Sequence, residues 1–324
     1  MEKEKRIVFF GSRKIVWLLI LFFFIFSIAI GVVGYVVYLR HKQGLTSYHR
    51  HNLEIIAQLK TDQIVNWLKE RENDTRIIFN SPFLARGIKS VFEDKNREEN
   101  LKRLQKIMSV YLDAYDYRTV LIFDRQGAIR FSLTEGRDWE RENFFNRNFV
   151  DQAMKTGKIV SSDLYRNSKS GKIFLDLYVP FFFEQEKYPL GVILLRIDPS
   201  LFLYPLIQSW PTPSRTGETI LVRLEGNRVL FLNELRHRKN GALTFQLPID
   251  QENFISALAV QGRTGFVEGV DYRDVFVLAA LRKVPGTPWF IVTKIDRDEV
   301  YEPLRQQAWL LVILTASLIL GVGL

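Results

Sequence analysis

The sequence contains no cysteine and only four histidines. The absence of thiols excludes disulfides, thiolate nucleophiles and cysteine-ligated metal sites. None of the histidines (His41, His49, His51 and His237) pairs with a glutamate at the spacing of a zinc site. A Gly-x-Ser-x-Gly elbow, a Walker loop and a Rossmann glycine pattern are also missing. We therefore expect no catalytic residue, no metal and no cofactor in this chain.

The central part of the chain carries little excess charge. The formal net charge of the 324 residues is +9, of which residues 1–14 supply +3. The rest is spread over Arg40 to Gln307, without a stripe of lysine and arginine interleaved with aromatic residues. Nucleic-acid-binding domains concentrate positive charge in such a patch, so we expect no nucleic-acid partner.

Charge is missing altogether from two apolar runs that frame the rest of the sequence. Ile15 to Leu39 is twenty-five residues long, and Ala308 to Leu324 is seventeen. A helix of the first length would measure about 37 Å, more than the roughly 30 Å hydrocarbon core of a bilayer. We interpret residues 15–39 as a transmembrane helix and residues 298–324 as an exit helix that enters a second one. No charge ends the second run, so we expect the sequence to be cut within or just after that crossing.

The orientation follows from the tail, residues 1–14, which we place in the cytoplasm. Five basic residues precede the first run, and such flanking charge favours the cytoplasmic side. The run is longer than the core of a signal peptide and lacks a small-residue cleavage site, so we interpret it as an uncleaved anchor. Residues 40–307 then lie outside the cytoplasmic membrane of a protein with two crossings.

Residues 40–81 show the spacing of an amphipathic helix. Its apolar face consists of Leu53, Ile56, Ala57, Ile64, Trp67 and Leu68. Charged residues occupy the other side, and Ser81-Pro82 interrupts the pattern. The spacing predicts a stalk helix that continues the membrane helix outward.

Strand patterns follow two more helical stretches and form two groups. The predicted strands are Thr119–Phe123, Ala128–Ser132, Lys158–Ser161, Lys172–Phe183 and Leu190–Ile197, then Thr219–Leu224, Val229–Leu232, Ala242–Pro248, Gly265–Val270, Phe276–Leu281 and Trp289–Ile295. Between the groups lies Pro211–Gly217, rich in proline, serine and threonine. A long helix followed by two mostly antiparallel sheets is an α+β pattern.

Short motifs follow one another in a characteristic order along the two groups of strands. They are Phe123-Asp124-Arg125-Gln126-Gly127, Arg147-Asn148-Phe149, Thr156-Gly157-Lys158, Ser162-Asp163-Leu164-Tyr165 and Val179-Pro180, then Gly269-Val270-Asp271-Tyr272-Arg273 and Val284-Pro285-Gly286-Thr287-Pro288-Trp289. With them, residues 15–324 resemble the double Cache sensor region of bacterial transmembrane receptors, above all of sensor histidine kinases. The resemblance implies two tandem PAS-like lobes with antiparallel sheets, a membrane-distal lobe at 82–210 and a membrane-proximal lobe at 211–297.

The resemblance also implies a small-molecule pocket in the distal lobe. Amino-acid-binding relatives hold the ligand carboxylate with an Arg, a nearby aromatic and a later Tyr, which correspond here to Arg147, Phe149 and Tyr165. Where those relatives have an Asp for the ligand ammonium, this sequence has Arg196. Two arginines facing one cavity would suit carboxylates and repel an ammonium. We therefore expect a small organic acid rather than an amino acid.

Four more residues are candidate ligand contacts: Trp139, Phe145, Asp163 and Asp176. The two aromatics lie in the segment that relatives fold over the pocket. Val150 and Glu142 also depart from the amino-acid pattern, which has aromatic residues at both places. Structural interpretations remain open for every candidate: Arg147 and Arg196 as solvent-facing, the aromatics as core residues, the acids as turn or strand residues.

As a whole, the resemblance implies a receptor that senses a small extracytoplasmic ligand. It implies a homodimer packed along the stalk helices and a cytoplasmic output module, most often a histidine kinase, that this sequence does not contain. The sensor of a diguanylate cyclase or of a chemoreceptor, and a membrane-anchored protein-binding module, remain alternatives. A membrane-anchored enzyme would need a cluster of acids or a metal site, and the sequence offers neither.

Overall fold

The computed structural model describes residues 11–79, 81–93, 96–134, 145–183 and 186–323. Its longest element is helix α1, Gly11–Phe79, which runs without a break from the first apolar run through the stalk. The apolar face expected in the stalk is buried, including Leu53, Ile64 and Trp67, except for Leu68, which is partly buried. Removal of this face from water holds the helix in place, since packing rather than propensity supplies most helical stability.

Two shorter helices follow α1: α2 (Pro82–Phe92) and α3 (Arg97–Tyr115). Ser81 is extended, the conformation favoured before proline, and Pro82 begins α2 where its missing N–H has no intrahelical partner to lose. Buried apolar residues of both helices join Trp67 of α1 in one hydrophobic cluster. These helices cover one face of the sheet that comes next.

The first sheet has six strands, and helix α4 (Arg147–Thr156) covers the face opposite to α2 and α3. Its strands are β1 (Tyr117–Asp124), β2 (Ile129–Thr134), β3 (Val160–Ser161), β4 (Tyr165–Arg166), β5 (Ile173–Phe181) and β6 (Gly191–Ile197). The order is β2-β1-β6-β5-β3, with β4 paired to β5, and the strand pairs are antiparallel. The short strand β4 was not predicted, because two residues carry no readable period.

The two faces of the first sheet have different partners. On β5, Leu175 and Leu177 belong to the cluster that contains α2 and α3, whereas Tyr178 belongs to a cluster beneath α4. Side chains alternate between faces along a strand, so Asp176 lies on the α4 side with Tyr178. Arg196 of β6 is directly opposite Asp176 in the register and faces the same way.

The second sheet contains the remaining strands. Helix α5 (Leu203–Gln208) precedes these strands in the chain, and helix α6 (Ile255–Val260) lies between two of them in sequence. Its strands are β7 (Glu218–Glu225), β8 (Arg228–Phe231), β9 (Gln246–Pro248), β10 (Gly265–Val270), β11 (Phe276–Lys283) and β12 (Trp289–Asp296). The order is β10-β11-β12-β7-β8-β9, again with antiparallel pairs. The expected α+β class with a long N-terminal helix and antiparallel sheets is confirmed.

The second sheet differs from the sequence prediction at two places. The strand predicted over Ala242–Pro248 is reduced to β9, because Leu243 adopts a left-handed φ of 55° and the chain turns there. The helix α6 was not predicted. Its six residues are almost all apolar, and so short an apolar run has no period that separates a helix from a strand.

The last helix, α7 (Arg297–Gly323), follows β12 without an intervening loop. Among the described residues, one helix is long and apolar enough to cross a membrane, and it lies within α1 at Leu21–Arg76. The second crossing, along the end of α7, therefore remains a prediction.

Candidate functional site

A cavity of about 340 Å³ lies on the α4 side of the first sheet, where that sheet meets the second. Its lining residues are Phe145, Asn146, Phe149, Ser162, Asp163, Leu164, Tyr165, Arg166, Asp176, Tyr178 and Arg223. This volume is at the lower end of the range for small-molecule sites, roughly 300–1,000 Å³. The cavity brings together five of the residues that the sequence indicated: Phe145, Phe149, Asp163, Tyr165 and Asp176.

The polar floor of the cavity is a buried ion pair between β5 and β6. Arg196 is 0% exposed and Asp176 1%. The guanidinium donates from Nε to Oδ1 of Asp176 at 2.8 Å and from Nη2 to Oδ2 at 2.9 Å. Such a two-pronged contact is the geometry in which arginine binds a carboxylate best. Arg196 thus lies behind Asp176, and Asp176 is the member of the pair that lines the cavity.

Two tyrosines flank this pair. The hydroxyl of Tyr165 donates to Oδ2 of Asp176 at 2.7 Å, and the hydroxyl of Tyr178 accepts from the backbone N–H of Asn146 at 3.2 Å. Burial, and after it the charge of Asp176, raises the pKa of both tyrosines above the ordinary value of 10. Both side chains therefore stay neutral hydrogen-bonding groups at physiological pH.

Asp163 connects the cavity to the second sheet. Its Oδ1 accepts from the backbone N–H of Leu164 and from the indole N–H of Trp289, both at 2.6 Å. Its Oδ2 lies 2.8 Å from Nη1 of Arg223. Trp289 begins β12 and Arg223 lies on β7, so one side chain from the cavity wall holds two strands of the neighbouring sheet.

Positive charge enters the cavity from Arg166 and Arg223. Arg166 donates to the carbonyl oxygens of Gly171 and Ala242, and the structure records no carboxylate partner for it among the described residues. Arg223 donates to the carbonyl oxygen of Leu164 and contacts two carboxylates. Arg166, whose recorded partners among the described residues are carbonyl oxygens, is therefore the cation best placed to receive an anionic ligand.

An aromatic wall closes the α4 side. The ring of Phe145 packs on Phe123 with centroids 4.7 Å apart, and Phe149 packs on Tyr178 at 5.4 Å. Between them Asn146 caps α4, accepting from the backbone N–H of Asn148 at 3.0 Å. The cap fixes the start of the helix, and thereby the position of both phenylalanines over the sheet.

Arg147 does not line this cavity. Its side chain is 59% exposed, lies 3.9 Å from Asp151, and donates to the carbonyl oxygen of Gln126 at 2.6 Å. The expectation that Arg147 and Arg196 face one cavity therefore does not match the structure: the first points toward the β1–β2 turn, and the second is held behind Asp176. Trp139 and Glu142 lie outside the described residues.

Sequence reasoning missed Tyr178, Arg166 and Arg223. Tyr178 could have been found, since it lies two residues after Asp176 on one strand and shares its face. Arg166 comes directly after Tyr165 on a strand too short to be recognised. Arg223 belongs to the other group of strands, and no local pattern indicates that it reaches across. Within the described ranges, no group of three or more histidine, aspartate or glutamate residues could hold a metal ion.

Comparison with known proteins gives a consistent result. The family model described as "Cache domain" matches residues 42–304. The ligand-binding domain of the Campylobacter jejuni chemoreceptor Tlp3, solved in complex with L-norvaline, superposes with a TM-score of 0.57 at 14% identity, covering 79% of this chain and 94% of that one. The extracellular domain of the putative histidine kinase soHK1S-Z6 gives 0.54 at 15% identity, covering 81% and 99%. No curated protein matches the chain.

Proposed function

The chain belongs to the Cache domain family, and we propose that it is the extracytoplasmic sensor of a membrane receptor that binds a small carboxylate-bearing ligand. Cache domains are non-catalytic ligand-binding folds of signalling receptors. The observation that carries the proposal is the cavity beneath α4, with two arginines, two neutral tyrosines and an aromatic wall. We place it in the distal lobe, residues 82–210, with residues 211–297 as the proximal lobe.

An organic acid remains the proposed ligand class, for a different reason from the one the sequence suggested. Asp176 neutralises Arg196, so Arg196 does not repel an ammonium group. Instead, both carboxylates already have partners within the protein: Asp163 accepts two hydrogen bonds and pairs with Arg223, and Asp176 accepts three hydrogen bonds. Arg166 lines the cavity and has no recorded carboxylate partner among the described residues, so it supplies positive charge that the two aspartates do not neutralise. A ligand that brings a carboxylate without an ammonium complements that charge.

The route of the signal is the contact of Asp163 with Trp289. A ligand bound at the cavity wall changes the free energy of that contact. Trp289 is the first residue of β12, and α7 follows β12 directly. A second cavity, of about 390 Å³, lies between Asp163, Trp289 and α1, so the side chains at this joint have room to rearrange. Ligand can shift α7 only by its difference in affinity for the two arrangements.

The remaining proposals concern the whole receptor. α1 and α7 cross the cytoplasmic membrane with the tail in the cytoplasm, and two copies pack along the stalk. A histidine kinase is the proposed output, with a diguanylate cyclase or a chemotaxis module as alternatives. The apolar run within α1 and the direct passage from β12 into α7 support this arrangement.

The test is thermal denaturation of the full chain in detergent against organic acids, amino acids and amines. Ligand at a hundred times its dissociation constant should stabilise the folded state by about 2.7 kcal/mol. We expect one class of organic acids to do so. Arg166→Gln should weaken binding about tenfold or more, since it removes one charge-assisted hydrogen bond.

Arg147→Gln is the matched control, because it makes the same charge change at a side chain outside the cavity. Retained binding in this variant supports the cavity; loss of binding supports the pocket that the sequence indicated. Stabilisation by amino acids would keep the sensor and replace the ligand class. A panel without any stabilising compound would favour a protein-binding module.

A further inference from the structure

A long groove lies between α1 and α7 on the membrane side of the second sheet. Its upper part is a cavity of about 670 Å³ beside the start of α7. Its lower part is a cavity of about 640 Å³ between the two helices. Tyr38 lines both parts, so the groove is continuous along the pair of helices.

The upper part is basic. Four cations line it against two carboxylates, Glu268 and Asp298, which leaves a formal charge of +2. The cations are Lys42, Arg50, Arg297 and Arg305. Arg50 and Arg305 have carboxylate partners at 3.3 and 3.2 Å.

The other two cations have no recorded carboxylate partner among the described residues. Lys42 lies 5.5 Å above the ring of Tyr301, and Arg297 lies 4.4 Å above the ring of Phe276. Both side chains are exposed. Their charges are therefore available to an anion that enters the upper part of the groove.

The lower part is almost entirely apolar. Gly31 and Gly34 of α1 face it, and a Cβ atom added at either would meet no atom within 4 Å. Leu311 and Val312 of α7 form the opposite wall. The space is elongated along the helices, and its apolar walls suit a hydrocarbon chain.

The change from apolar to basic coincides with the outer membrane boundary that we propose. The uncharged run ends at Leu39, and Arg40 follows. Tyr38, at the junction of the two parts, is of the residue type that anchors helices at the level of lipid headgroups. The basic part thus lies at headgroup height and the apolar part at acyl-chain height, provided that α1 and α7 span the membrane as proposed above.

We propose that this groove binds a phospholipid with an anionic headgroup from the outer leaflet. The headgroup lies between Lys42 and Arg297, and one acyl chain follows the surface of Gly31 and Gly34. Charge and shape together favour this occupant, because one molecule must offer an anion above and a hydrocarbon chain below. A second copy of the chain fits less well, since it would bring an identical basic rim to face this one. Bound lipid would bridge the entry helix and the exit helix, the two elements that carry the signal.

Lipid retention by the purified full chain tests the proposal. The chain in neutral detergent is mixed with phosphatidylglycerol, with phosphatidylcholine, or with sn-glycerol 3-phosphate, and bound molecules are counted by native mass spectrometry. We expect retention of phosphatidylglycerol over phosphatidylcholine. Lys42→Gln with Arg297→Gln should lower it about 30-fold, the change expected for two basic residues at about 1 kcal/mol each. Gly34→Leu should displace both lipids and leave sn-glycerol 3-phosphate unaffected.

The matched control is Lys102→Gln with Lys106→Gln, the same charge change on the exposed side of α3, which should leave retention unchanged. Equal binding of the two lipids would overturn the proposal. So would sn-glycerol 3-phosphate binding as tightly as the lipid, which indicates a soluble anion. Disulfide formation between Gly34→Cys of two copies would show that a partner helix fills the groove. Ligand-induced stabilisation in the same preparation reports on the distal cavity separately, so failure of lipid binding and failure of sensing are distinguishable.

Discussion

Arg196 is one of the largest fully buried side chains of the molecule, and its guanidinium keeps its charge there. Burial opposes the charged form, but the hydrogen bonds and charge of Asp176 outweigh burial and raise the pKa of Arg196 above its ordinary value. The pair lies in the centre of the first sheet, with Tyr165 bound to the same carboxylate. This ion pair between neighbouring strands thus forms the floor of the cavity. It also favours the strand register in which Asp176 lies opposite Arg196.

Asp176→Asn should destabilise the protein by about 3–5 kcal/mol, because it removes the carboxylate that pairs with the buried charge of Arg196. The measurement is the melting temperature of the full chain without ligand. The control is Glu186→Gln, which removes the partner of Arg125 in a half-exposed pair and should cost less than about 1 kcal/mol. Replacing both members, Asp176→Leu with Arg196→Met, should cost less than either single change. Equal effects of the buried and exposed changes would contradict this assignment.

At the scale of elements, the carboxylate of Glu299 fixes the passage from β12 into α7. Glu299, in the first turn of α7, accepts from the hydroxyl of Ser214 at 2.9 Å and from the backbone N–H groups of Arg215 and Thr216 at 3.0 and 2.9 Å. It also accepts from the hydroxyl of Thr216. One turn further, Pro303 removes a helical hydrogen bond and provides a site of bending. Glu299 therefore fixes the start of the exit helix, and Pro303 weakens the helix one turn beyond.

Glu299 should make the free energy of unfolding depend on pH in the acidic range. Burial opposes its charged form, but the hydrogen bonds from Thr216, Arg215 and Ser214 outweigh burial and lower its pKa below the ordinary 4.5. Because the unfolded state binds the proton more readily, this contribution is complete above about pH 4.5 and is lost as pH falls through the lower folded value. Glu299→Gln should lower the melting temperature at pH 7, and the difference from wild type should vanish at low pH. Glu302→Gln, which removes a more exposed contact to Arg215, should change it little at either pH.

The joint between the sheets can be tested through Trp289. Trp289→Phe keeps a buried ring but removes the N–H donated to Asp163. With spin labels at Tyr48→Cys and Gln306→Cys, ligand should shift the α1–α7 distance in the parent and much less in Trp289→Phe, with affinity within about threefold. Trp210→Phe, a control that is not recorded as contacting Asp163, should respond as the parent does. An unchanged shift in Trp289→Phe would exclude this route.

At the scale of the molecule, α1 packs against both sheets. Its outer half joins the core of the first sheet through Ile64 and Trp67 and a cluster of the second sheet through Leu53 and Ala57. Any motion of one sheet relative to the other must therefore also act on this helix. The lipid groove lies at the membrane end of the same helix, next to α7.

The proposed topology can be measured without background labelling, because the chain has no cysteine. Lys106→Cys on exposed α3 should react with a membrane-impermeant maleimide in intact spheroplasts. Ser12→Cys in the tail should react only after lysis, since five basic residues hold the tail inside. Reversed reactivity would invert the receptor, and reaction of both sites in intact cells would exclude a crossing by α1.

The long elements could be predicted because their signals lie in contiguous residues. β10 begins and ends where the alternation indicated, and the break at Ser81-Pro82 follows from proline chemistry alone. The candidate site could be predicted only in part. Tyr165 and Asp176 were found, but as separate candidates, and the hydrogen bond between them was not foreseen.

What the sequence by itself determined is the class of the molecule: an apolar run within a long helix, two antiparallel sheets and no cysteine chemistry. These follow from local period and composition, which neighbouring residues fix. Only the tertiary structure decided which charges meet. Strand register places Arg196 against Asp176, the packing of two sheets brings Arg223 into the cavity, and the start of α4 turns Arg147 away from it. These contacts join residues that are far apart in the chain. The energy of a charged side chain depends on its neighbours in space, which the sequence does not specify locally.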